Sequence, residues 1–529
     1  MTTEAVDSAS VLAAFDRVAE GLAALNQYPF SGRGVFWAER LNINLPELEA
    51  LQSLADEAGA HYRFEQGPLV AEGMAPPPAA IGGIAAIARN AHLPDADVAG
   101  AALQALHTAH RHEHLNAFIQ LATESSITAQ ADAAAAMKYR ASLPLLGVPV
   151  AVKDLMLVQG FPLTGGTQAP DNKPSATDAL AVGRLREAGA LFVGTTNLHE
   201  LAYGITSNNP HYGAVVNPHD ANVIPGGSSG GSAVSVAAGI VRASIGTDTS
   251  GSIRIPAACC GVVGFKPSYD AVPRQGALDL GPSLDHIGPI TRSVDDAALL
   301  FSVMAGLPAQ VPQRLASLAG VRIGVPANFF FEPLAPDVGA VVQTALELMA
   351  DDGAQLIPIQ LDGVDRAPAI QFATLCSEAT SIHWRRLLAK PDSLGADVRV
   401  RLEIGQLLPA IWYTRAQGAR SRLAMVFDAA LAGVDVIATP TMRTTAPPVS
   451  ASHVQIGQQS MPMHTAATGL TLPFNLSGLP AITLPCGRGE HDLPVGLQLA
   501  AGRQQDWKLL AVSLRAEALL SGVNGNPKH

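Results

Sequence analysis

Cysteine and aromatic residues are scarce in this chain. Only 4 of its 529 residues are cysteine, and 5% are aromatic. Cys259 and Cys260 are adjacent and no two cysteines have CxxC spacing, which argues against a disulfide framework or a cysteine-based zinc site. Buried, reduced thiols are typical of a cytoplasmic protein, and the residues after Met1 lack the basic and apolar regions of an export signal. We therefore expect a cytoplasmic protein.

Charge and long hydrophobic runs are also limited. Charged residues make up 15% of the chain, and 45 acidic against 34 basic side chains give a net charge of −11. Phosphate binding needs a basic surface, so nucleic acid is not expected as the main partner. A bilayer span needs ~18 consecutive apolar residues, and Arg242 interrupts the best candidate stretch, 233–245. We therefore expect no membrane partner either.

Apolar residues are plentiful, at 48% of the chain. A chain of this length exceeds the usual size of one hydrophobic core, so length alone predicts two or three domains. Residues 1–72 are expected to form a helical N-terminal extension, because 8–25 have helical apolar spacing and 45–60 have a proline near the first turn. The three prolines at 76–78 predict a linker. The extension could form a homodimer contact.

Residues 84–529 have a different pattern and are expected to form a second, larger domain. Helical segments alternate there with short β-branched runs. The helical segments include 98–115 and 176–187, and the β-branched runs are 148–152, 191–193, 321–325 and 434–437. Alternation of this kind predicts an α/β fold with a largely buried sheet.

Two clusters of serine and glycine carry the clearest chemical signal. The first is Gly-Gly-Ser-Ser-Gly-Gly-Ser at 226–232, and the second is Gly-Thr-Asp-Thr-Ser-Gly-Ser-Ile-Arg-Ile-Pro at 246–256. Glycine lets the backbone turn sharply and lets amide hydrogens reach a ligand, which suits a serine nucleophile beside an oxyanion hole. Lys153 follows the apolar run 146–152, so burial should lower its pKa and provide a neutral amine as a base.

Other interpretations of these features are open. Residues 227–231 fit the G-x-S-x-G nucleophile elbow with Ser229 as nucleophile, but an elbow follows a strand and the preceding Val-Ile-Pro-Gly is not typical of one. A phosphate-binding loop would need Gly-Lys-Ser or Gly-Lys-Thr, which the chain lacks. The histidine-rich stretch 107–114 has no acidic ligand pattern, so a solvated helix face is favoured over a metal site.

The motifs resemble those of the amidase signature family of serine hydrolases. The two serine-glycine clusters together match its long signature, and Lys153 in Val-Lys-Asp matches its catalytic lysine. The likeness covers about residues 84–520, which implies that 84–529 is the catalytic domain of the amidase signature type. It includes further similar segments at 196–209, 260–267, 283–289, 475–480 and 493–498.

The resemblance implies both a fold and a mechanism. The fold would be α/β, with a single large mixed twisted β-sheet covered by helices on both faces in place of several separate cores. Ser252 would be the acylating nucleophile, Ser228 a bridging serine preceded by a cis peptide, and Lys153 the base. Asp248 and Arg254 would brace the loop. No metal or organic cofactor is implied.

The resemblance also implies an oxyanion hole in the second cluster. Its donors would be the backbone amides of Thr249, Ser250, Gly251 and Ser252. The family usually carries glycine or alanine where this chain has Ser250, so a hydroxyl would stand beside the oxyanion.

For the substrate, segment 199–209 is similar to that of indoleacetamide and related aryl-acetamide hydrolases. This implies hydrolysis of a small primary amide with an apolar or aromatic acyl group to an acid and ammonia or amine, with Tyr203, Gly204 and Ile205 contacting the substrate. The alternatives are an aryl acylamidase, a urea-type hydrolase of allophanate or biuret, and an amidotransferase A-type subunit that needs a partner. The 72-residue extension and the acidic balance fit the last role poorly.

Overall fold

A computed structural model of the chain describes residues 74–75, 83–93, 95–168 and 173–522. The helices expected within 1–72 and the linker expected at 76–78 lie outside the described residues. The extension and its boundary with the catalytic domain therefore stay predictions.

Eleven strands of the described residues form one sheet. In chain order they are β1 (Phe118–Leu121), β2 (Pro149–Lys153), β3 (Leu191–Thr196), β4 (Ala243–Asp248), β5 (Val263–Lys266), β6 (His286–Thr291), β7 (Arg322–Pro326), β8 (Gln355–Ile359), β9 (Val436–Pro440), β10 (Ala481–Arg488) and β11 (Pro494–Ala500). Across the sheet the order is β8-β7-β9-β11-β10-β5-β6-β4-β2-β3-β1. The sheet is mixed, because β2 lies parallel between β3 and β4, β7 lies parallel between β8 and β9, and the strands between these groups pair antiparallel.

The same part of the chain contains fourteen α-helices. They are α1 (Gly83–Ala91), α2 (Gly100–Arg111), α3 (Glu124–Ala135), α4 (Leu180–Glu187), α5 (Gly230–Ala237), α6 (Arg254–Cys260), α7 (Val294–Met304), α8 (Pro336–Asp351), α9 (Ala367–Ala389), α10 (Ala396–Gly405), α11 (Ala410–Gly433), α12 (Met463–Thr468), α13 (Leu472–Leu476) and α14 (Asp506–Leu520). Three short antiparallel pairs lie outside the main sheet: Met74–Ala75 with Val311–Pro312, Asn208–Asn209 with Gly213–Ala214, and His453–Ile456 with Gln459–Pro462.

Helices cover both faces of the sheet, as the resemblance implied. Along β9, Val436 and Ala438 belong to one hydrophobic cluster while Ile437 belongs to another, because successive strand residues point to opposite faces. The first cluster includes residues of α7, α8 and α14, and the second includes residues of α9, α10 and α11. One sheet thus supports two apolar layers, so the long chain needs no second domain to bury its apolar residues.

The expected strands and helices are found with shifted ends. The β-branched runs at 148–152, 191–193, 321–325 and 434–437 correspond to β2, β3, β7 and β9. The helix expected at 98–115 begins at Gly100 and ends at Arg111, because His112 leaves the helical conformation (φ −110°, ψ 25°). A short 3-10 turn at Glu113–Leu115 follows and ends at the left-handed Asn116 (φ 50°). The helix expected at 176–187 begins only at Leu180.

The packing of α14 on α7 gives a test of the first apolar layer. Trp507 is fully buried, and its ring centroid lies 5.5 Å from that of Phe301. We expect Trp507→Ala to lower the free energy of unfolding by about 3–5 kcal/mol, since it removes a large buried ring and leaves a cavity. Ile411→Ala is the control: Ile411 is 53% exposed, so a change within about 0.5 kcal/mol is expected. Chemical denaturation measures both, and equal losses would contradict this view of the core.

Candidate active site

Lys153 ends β2 with its side chain fully buried. Its Nζ donates hydrogen bonds to Ser228 Oγ at 2.7 Å, Ser229 Oγ at 3.0 Å and Thr247 Oγ1 at 2.8 Å. The lysine at the end of this strand therefore contacts the first serine-glycine cluster directly. Thr247 on the neighbouring strand β4 is a contact that the sequence analysis did not anticipate.

Burial sets the protonation of this lysine. It lowers the pKa of Lys153 to about 7, although the carboxylates of Asp248 and Asp285 act in the opposite direction. An ammonium loses its hydration when it is buried, and the nearby negative charges recover only part of that loss. Near neutral pH a large share of the lysine is therefore the free amine.

Ser228 lies in a tight turn before α5. The Gly227–Ser228 peptide is cis, as the resemblance implied, and the Ser228 carbonyl accepts a hydrogen bond from the backbone N–H of His199 at 3.1 Å. Within the described residues no strand leads into this turn, since the last one before it is Gly213–Ala214. The geometry therefore lacks the strand that a nucleophile elbow at Ser229 requires.

The second cluster forms the loop between β4 and α6, and a buried ion pair closes it. Asp248 and Arg254 are both fully buried, and Arg254 Nη2 lies 3.0 Å from Asp248 Oδ1. The carboxylate also accepts hydrogen bonds from the backbone N–H groups of Gly251 at 2.8 Å and Ile253 at 3.2 Å. Burial alone would raise the pKa of Asp248, but the Arg254 charge and its hydrogen bonds hold that pKa well below the ordinary value. Both residues brace the loop, as expected.

Residues far along the chain complete this brace. Arg254 donates to Gln498 Oε1 at 2.6 Å and to Asn475 Oδ1 at 2.7 Å. Asn475 Nδ2 in turn donates to Asp248 Oδ1 at 2.8 Å. Asn475 and Gln498 belong to segments whose likeness to the family was recognised, but no sequence pattern indicated that they are partners of Arg254.

Gly251 occupies a position that excludes a side chain. Its φ is 127°, and a Cβ there would lie 2.2 Å from Thr471 Oγ1. The left-handed position of the loop is therefore Gly251, and the serine at 250 does not have to adopt it.

The four expected oxyanion donors differ in their hydrogen bonding. The N–H of Gly251 already donates to Asp248. Across the described ranges, the N–H groups of Thr249, Ser250 and Ser252 have no acceptor. Thr249 and Ser252 are buried and Ser250 is partly exposed. Amide hydrogens without an acceptor are uncommon at buried positions, so three such groups within four residues form a local concentration of donors.

The two serine clusters meet through their backbones. The N–H of Ser229 donates to the carbonyl of Ser252 at 3.2 Å. In the described part of the chain, the hydroxyls of Ser228 and Ser252 are not hydrogen-bonded to each other. Lys153 and Ser228 are thus joined directly, whereas Ser252 is adjacent through the main chain.

A cavity of about 410 Å³ borders the second loop. Ser250 and Tyr203 line it, whereas Gly204 and Ile205 do not. The cavity wall is largely apolar, with Pro368, Phe372, Leu375, Val400, Ile404 and Leu472 among its residues. Gly204 is instead packed on His199, where an added Cβ would lie 2.1 Å from the imidazole Nε2. Of the three expected substrate contacts, the structure brings only Tyr203 to the cavity.

Sequence reasoning missed Gln371, which comes from α9. Its Nε2 donates to the Thr249 carbonyl at 3.1 Å and to Ser250 Oγ at 2.6 Å, and the residue lines the cavity. No local motif marks this glutamine, since its partners lie more than a hundred positions earlier.

The histidine-rich stretch 107–114 is not a single helix face. His107 on α2 is exposed beside Glu124, whereas His114 lies beyond the end of that helix. Among the described residues, no three histidine, cysteine, aspartate or glutamate side chains are grouped as a metal centre would require. Over the same ranges, no helix has both the length and the apolar character to cross a membrane.

Known proteins share this architecture. A family model described as Amidase matches residues 101–510. The A subunit of the glutamyl-tRNA(Gln) amidotransferase of Nitratidesulfovibrio vulgaris (strain DP4) is 38% identical over 437 residues, which cover 75% of this chain and 88% of that protein. A crystal structure of an amidase superposes with a TM-score of 0.77 at 38% identity, covering 83% of this chain and 100% of the other. The corresponding amidotransferase chain from Thermotoga maritima gives a TM-score of 0.67 at 31% identity, covering 81% and 93%.

The matched fold and sequence define an enzyme that cleaves carbon–nitrogen bonds. The chain belongs to the amidase family. The large mixed sheet with helices on both faces is the fold of these relatives.

The ion pair gives a test of the loop. We expect Arg254→Met to lower the free energy of unfolding by about 3–5 kcal/mol, because it leaves the Asp248 carboxylate buried without its partner. The matched control is Arg488→Met, which breaks the exposed pair with Asp492 at 3.2 Å and should cost less than about 1 kcal/mol. Denaturation curves of both variants decide the point, and a small loss for Arg254→Met would refute the bracing role.

Proposed function

We propose that the protein hydrolyses a carboxamide to a carboxylic acid and ammonia or amine through an acyl-enzyme on Ser252. Ser228 and Lys153 would form the proton relay. The observation that carries the proposal is the fully buried Lys153, whose pKa is lowered to about 7 and whose Nζ lies 2.7 Å from Ser228 Oγ. The ammonium can donate to all three neighbouring hydroxyls, whereas the neutral amine has only two hydrogens. Its lone pair can then face Ser228 Oγ and accept the hydroxyl proton.

Atoms and protons balance in each step of this reaction. Ser252 Oγ attacks the amide carbon while its proton passes to Ser228 and the Ser228 proton passes to Lys153. The C–N bond then breaks, and the departing nitrogen takes a proton back through the relay. Water repeats the sequence on the ester and releases the acid. The first transfer requires the Ser252 hydroxyl to reach Ser228, and the hydrogen bond from Ser229 N–H to the Ser252 carbonyl at 3.2 Å, which joins the two loops, supports this step.

The tetrahedral intermediate carries a negative oxygen. The N–H groups of Thr249, Ser250 and Ser252 support its binding because they have no acceptor among the described residues. Gly251 would contribute only by sharing its hydrogen with Asp248. Donors already in position need no reorganisation when the charge develops, and losing one typically costs about 3–4 kcal/mol of transition-state stabilisation.

The cavity supports a substrate with an apolar or aromatic acyl group. Its wall is mainly apolar, with Phe372, Leu375 and Ile404 among its residues, although Asp397 and Arg401 also line it. Ser250 connects this wall to the serine loop. Burial of an apolar group there would contribute roughly 25 cal/mol per Å² removed from water. A primary amide of such an acid is therefore the substrate class that we favour on physical grounds.

A second function is favoured by the relatives. Several proteins 33–38% identical to this chain are A subunits of glutamyl-tRNA(Gln) amidotransferases. In that case this chain would release ammonia for a partner, and activity on small amides would require the complex. The similarity of an amidase structure at 38% identity suits either function.

One experiment separates the two functions. Ammonia release is measured for the purified protein alone with aryl-acetamides, aliphatic amides, anilides, ureas and glutamine, each beside Ser252→Ala. We expect turnover of an apolar or aryl amide and a loss of at least about a thousandfold in Ser252→Ala, since the nucleophile is gone. Turnover of glutamine alone, or activity only with an added partner, would favour the amidotransferase function. Undiminished activity in Ser252→Ala would overturn the mechanism.

The pKa of Lys153 predicts the pH dependence. The protonated ammonium cannot accept a proton, so kcat/KM should rise about tenfold per pH unit at low pH and level off above about pH 7. Burial also raises the pKa of Asp285 to about 6, so Asp285→Asn is the control. Removing that charge removes an attraction that raises the pKa of Lys153, and the midpoint should therefore move to lower pH. Disappearance of the step in Asp285→Asn would assign it to the aspartate instead.

A further inference from the structure

Ser250 is the one residue of the loop 249–252 that faces the cavity. It is partly exposed and lines the cavity, whereas its neighbours Thr249, Gly251 and Ser252 are buried. Its carbonyl accepts a hydrogen bond from Thr471 Oγ1 at 2.5 Å, and Thr471 is not part of the cavity wall. The Ser250 carbonyl is therefore hydrogen-bonded outside the cavity, and the side chain is the part of the residue that a ligand in the cavity could contact.

Gln371 fixes the role of the Ser250 oxygen. The Thr249 carbonyl can only accept a hydrogen bond, so the atom of Gln371 facing it at 3.1 Å must be Nε2. The same nitrogen donates to Ser250 Oγ at 2.6 Å, which uses both amide hydrogens. The orientation is kept although Gln371 Oε1 is buried without a partner among the described residues. If the Gln371 amide were turned round, its Oε1 would face the Thr249 carbonyl oxygen, and two acceptors without a hydrogen between them repel each other.

The hydroxyl hydrogen of Ser250 is consequently unused. In its contact with Gln371 the serine oxygen is the acceptor, and over the described ranges this hydroxyl has no acceptor of its own. The remaining direction for the hydrogen is towards the cavity that the residue lines. Among the cavity's other hydroxyls, Thr468 Oγ1 already donates to the His464 carbonyl at 2.9 Å.

We propose that the Ser250 hydroxyl is a specificity-determining donor that binds an oxygen acceptor in the acyl part of the substrate. Ser250 lies in the same loop as Ser252 and two residues before it, so the proposal places this acceptor near the scissile carbonyl. The favoured substrates are amides with an ether or hydroxyl oxygen on the carbon next to that carbonyl. Gln371 is the positioning residue that orients the hydroxyl. This inference rests on the proposed function, since it takes the cavity as the acyl pocket.

Two ligands of nearly equal shape test the donor. 2-Phenoxyacetamide and 3-phenylpropanamide differ by an ether oxygen in place of a methylene. Their dissociation constants are measured by calorimetry in Ser252→Ala, with and without Ser250→Ala. The ratio of the two constants removes any difference in general pocket affinity. We expect Ser250→Ala to reduce the preference for the ether about fivefold, the size of one neutral hydrogen bond.

Two further variants separate donation from a general structural effect. Thr468→Val removes another hydroxyl that lines the same cavity. That hydroxyl already donates its hydrogen to the His464 carbonyl, so the preference for the ether ligand should stay unchanged. Gln371→Leu keeps the Ser250 hydroxyl but removes its orientation, so the preference should fall without vanishing. A merely structural role of Gln371 would change both affinities in parallel and leave their ratio alone.

The outcomes distinguish this inference from the proposed function. An unchanged ratio in Ser250→Ala, or failure of both ligands to bind, would overturn the Ser250 donor. Hydrolysis of both amides by the unaltered protein with an unchanged ratio would overturn the donor and leave the amidase reaction standing. A preference that depends on Ser250, with no hydrolysis by the unaltered protein, would support the donor and overturn the proposed reaction.

Discussion

The ion pair between Asp248 and Arg254 joins the sheet to the serine loop, and the geometry of the candidate site depends on it. The pair spans the loop from the end of β4 to the start of α6, and its carboxylate binds the amides of Gly251 and Ile253. Two fully buried charges are unfavourable unless each is hydrogen-bonded. Here the hydrogen bonds from Gly251 and Ile253 to the carboxylate stabilise the buried charge and also hold the loop backbone in place. A different loop conformation would therefore leave the Asp248 charge with fewer hydrogen bonds.

The pKa of Lys153 also depends on a balance between lost hydration and nearby charge. Its burial removes hydration, and the surrounding hydroxyls of Ser228, Ser229 and Thr247 replace it only with neutral partners. Asp248 and Asp285 act from farther away and moderate the effect. Asp248 thus serves two purposes, since it holds Arg254 in the loop and keeps the pKa of the lysine from falling further.

Much of this arrangement could be predicted from sequence, and the limits have physical causes. The strand ending in Lys153 was predicted because the residues before the lysine, 148–152, form a short apolar run, which is typical of a strand buried on both faces. The strand Ala243–Asp248 was not predicted, because serine, glycine, threonine and aspartate make up four of its six residues and interrupt the apolar pattern. The serine positions were recognised from a motif, but their roles stay predictions. Gln371, Asn475 and Gln498 reach the loop only through tertiary folding, and no local pattern indicates contacts at such separations.

The position of β11 in the sheet bears on synthesis of the chain. This strand, Pro494–Ala500, is inserted between β9 and β10 near the middle of the sheet, and it supplies the Gln498 that binds Arg254. A ribosome makes the chain from the N-terminus, so both serine clusters leave it long before that strand exists. While the chain is being made, both serine clusters and Lys153 are therefore present before Arg254 has all of its hydrogen-bond partners. The full set of hydrogen bonds to Arg254 can form only once Gln498 has been made, which ties completion of this loop to synthesis of a late strand.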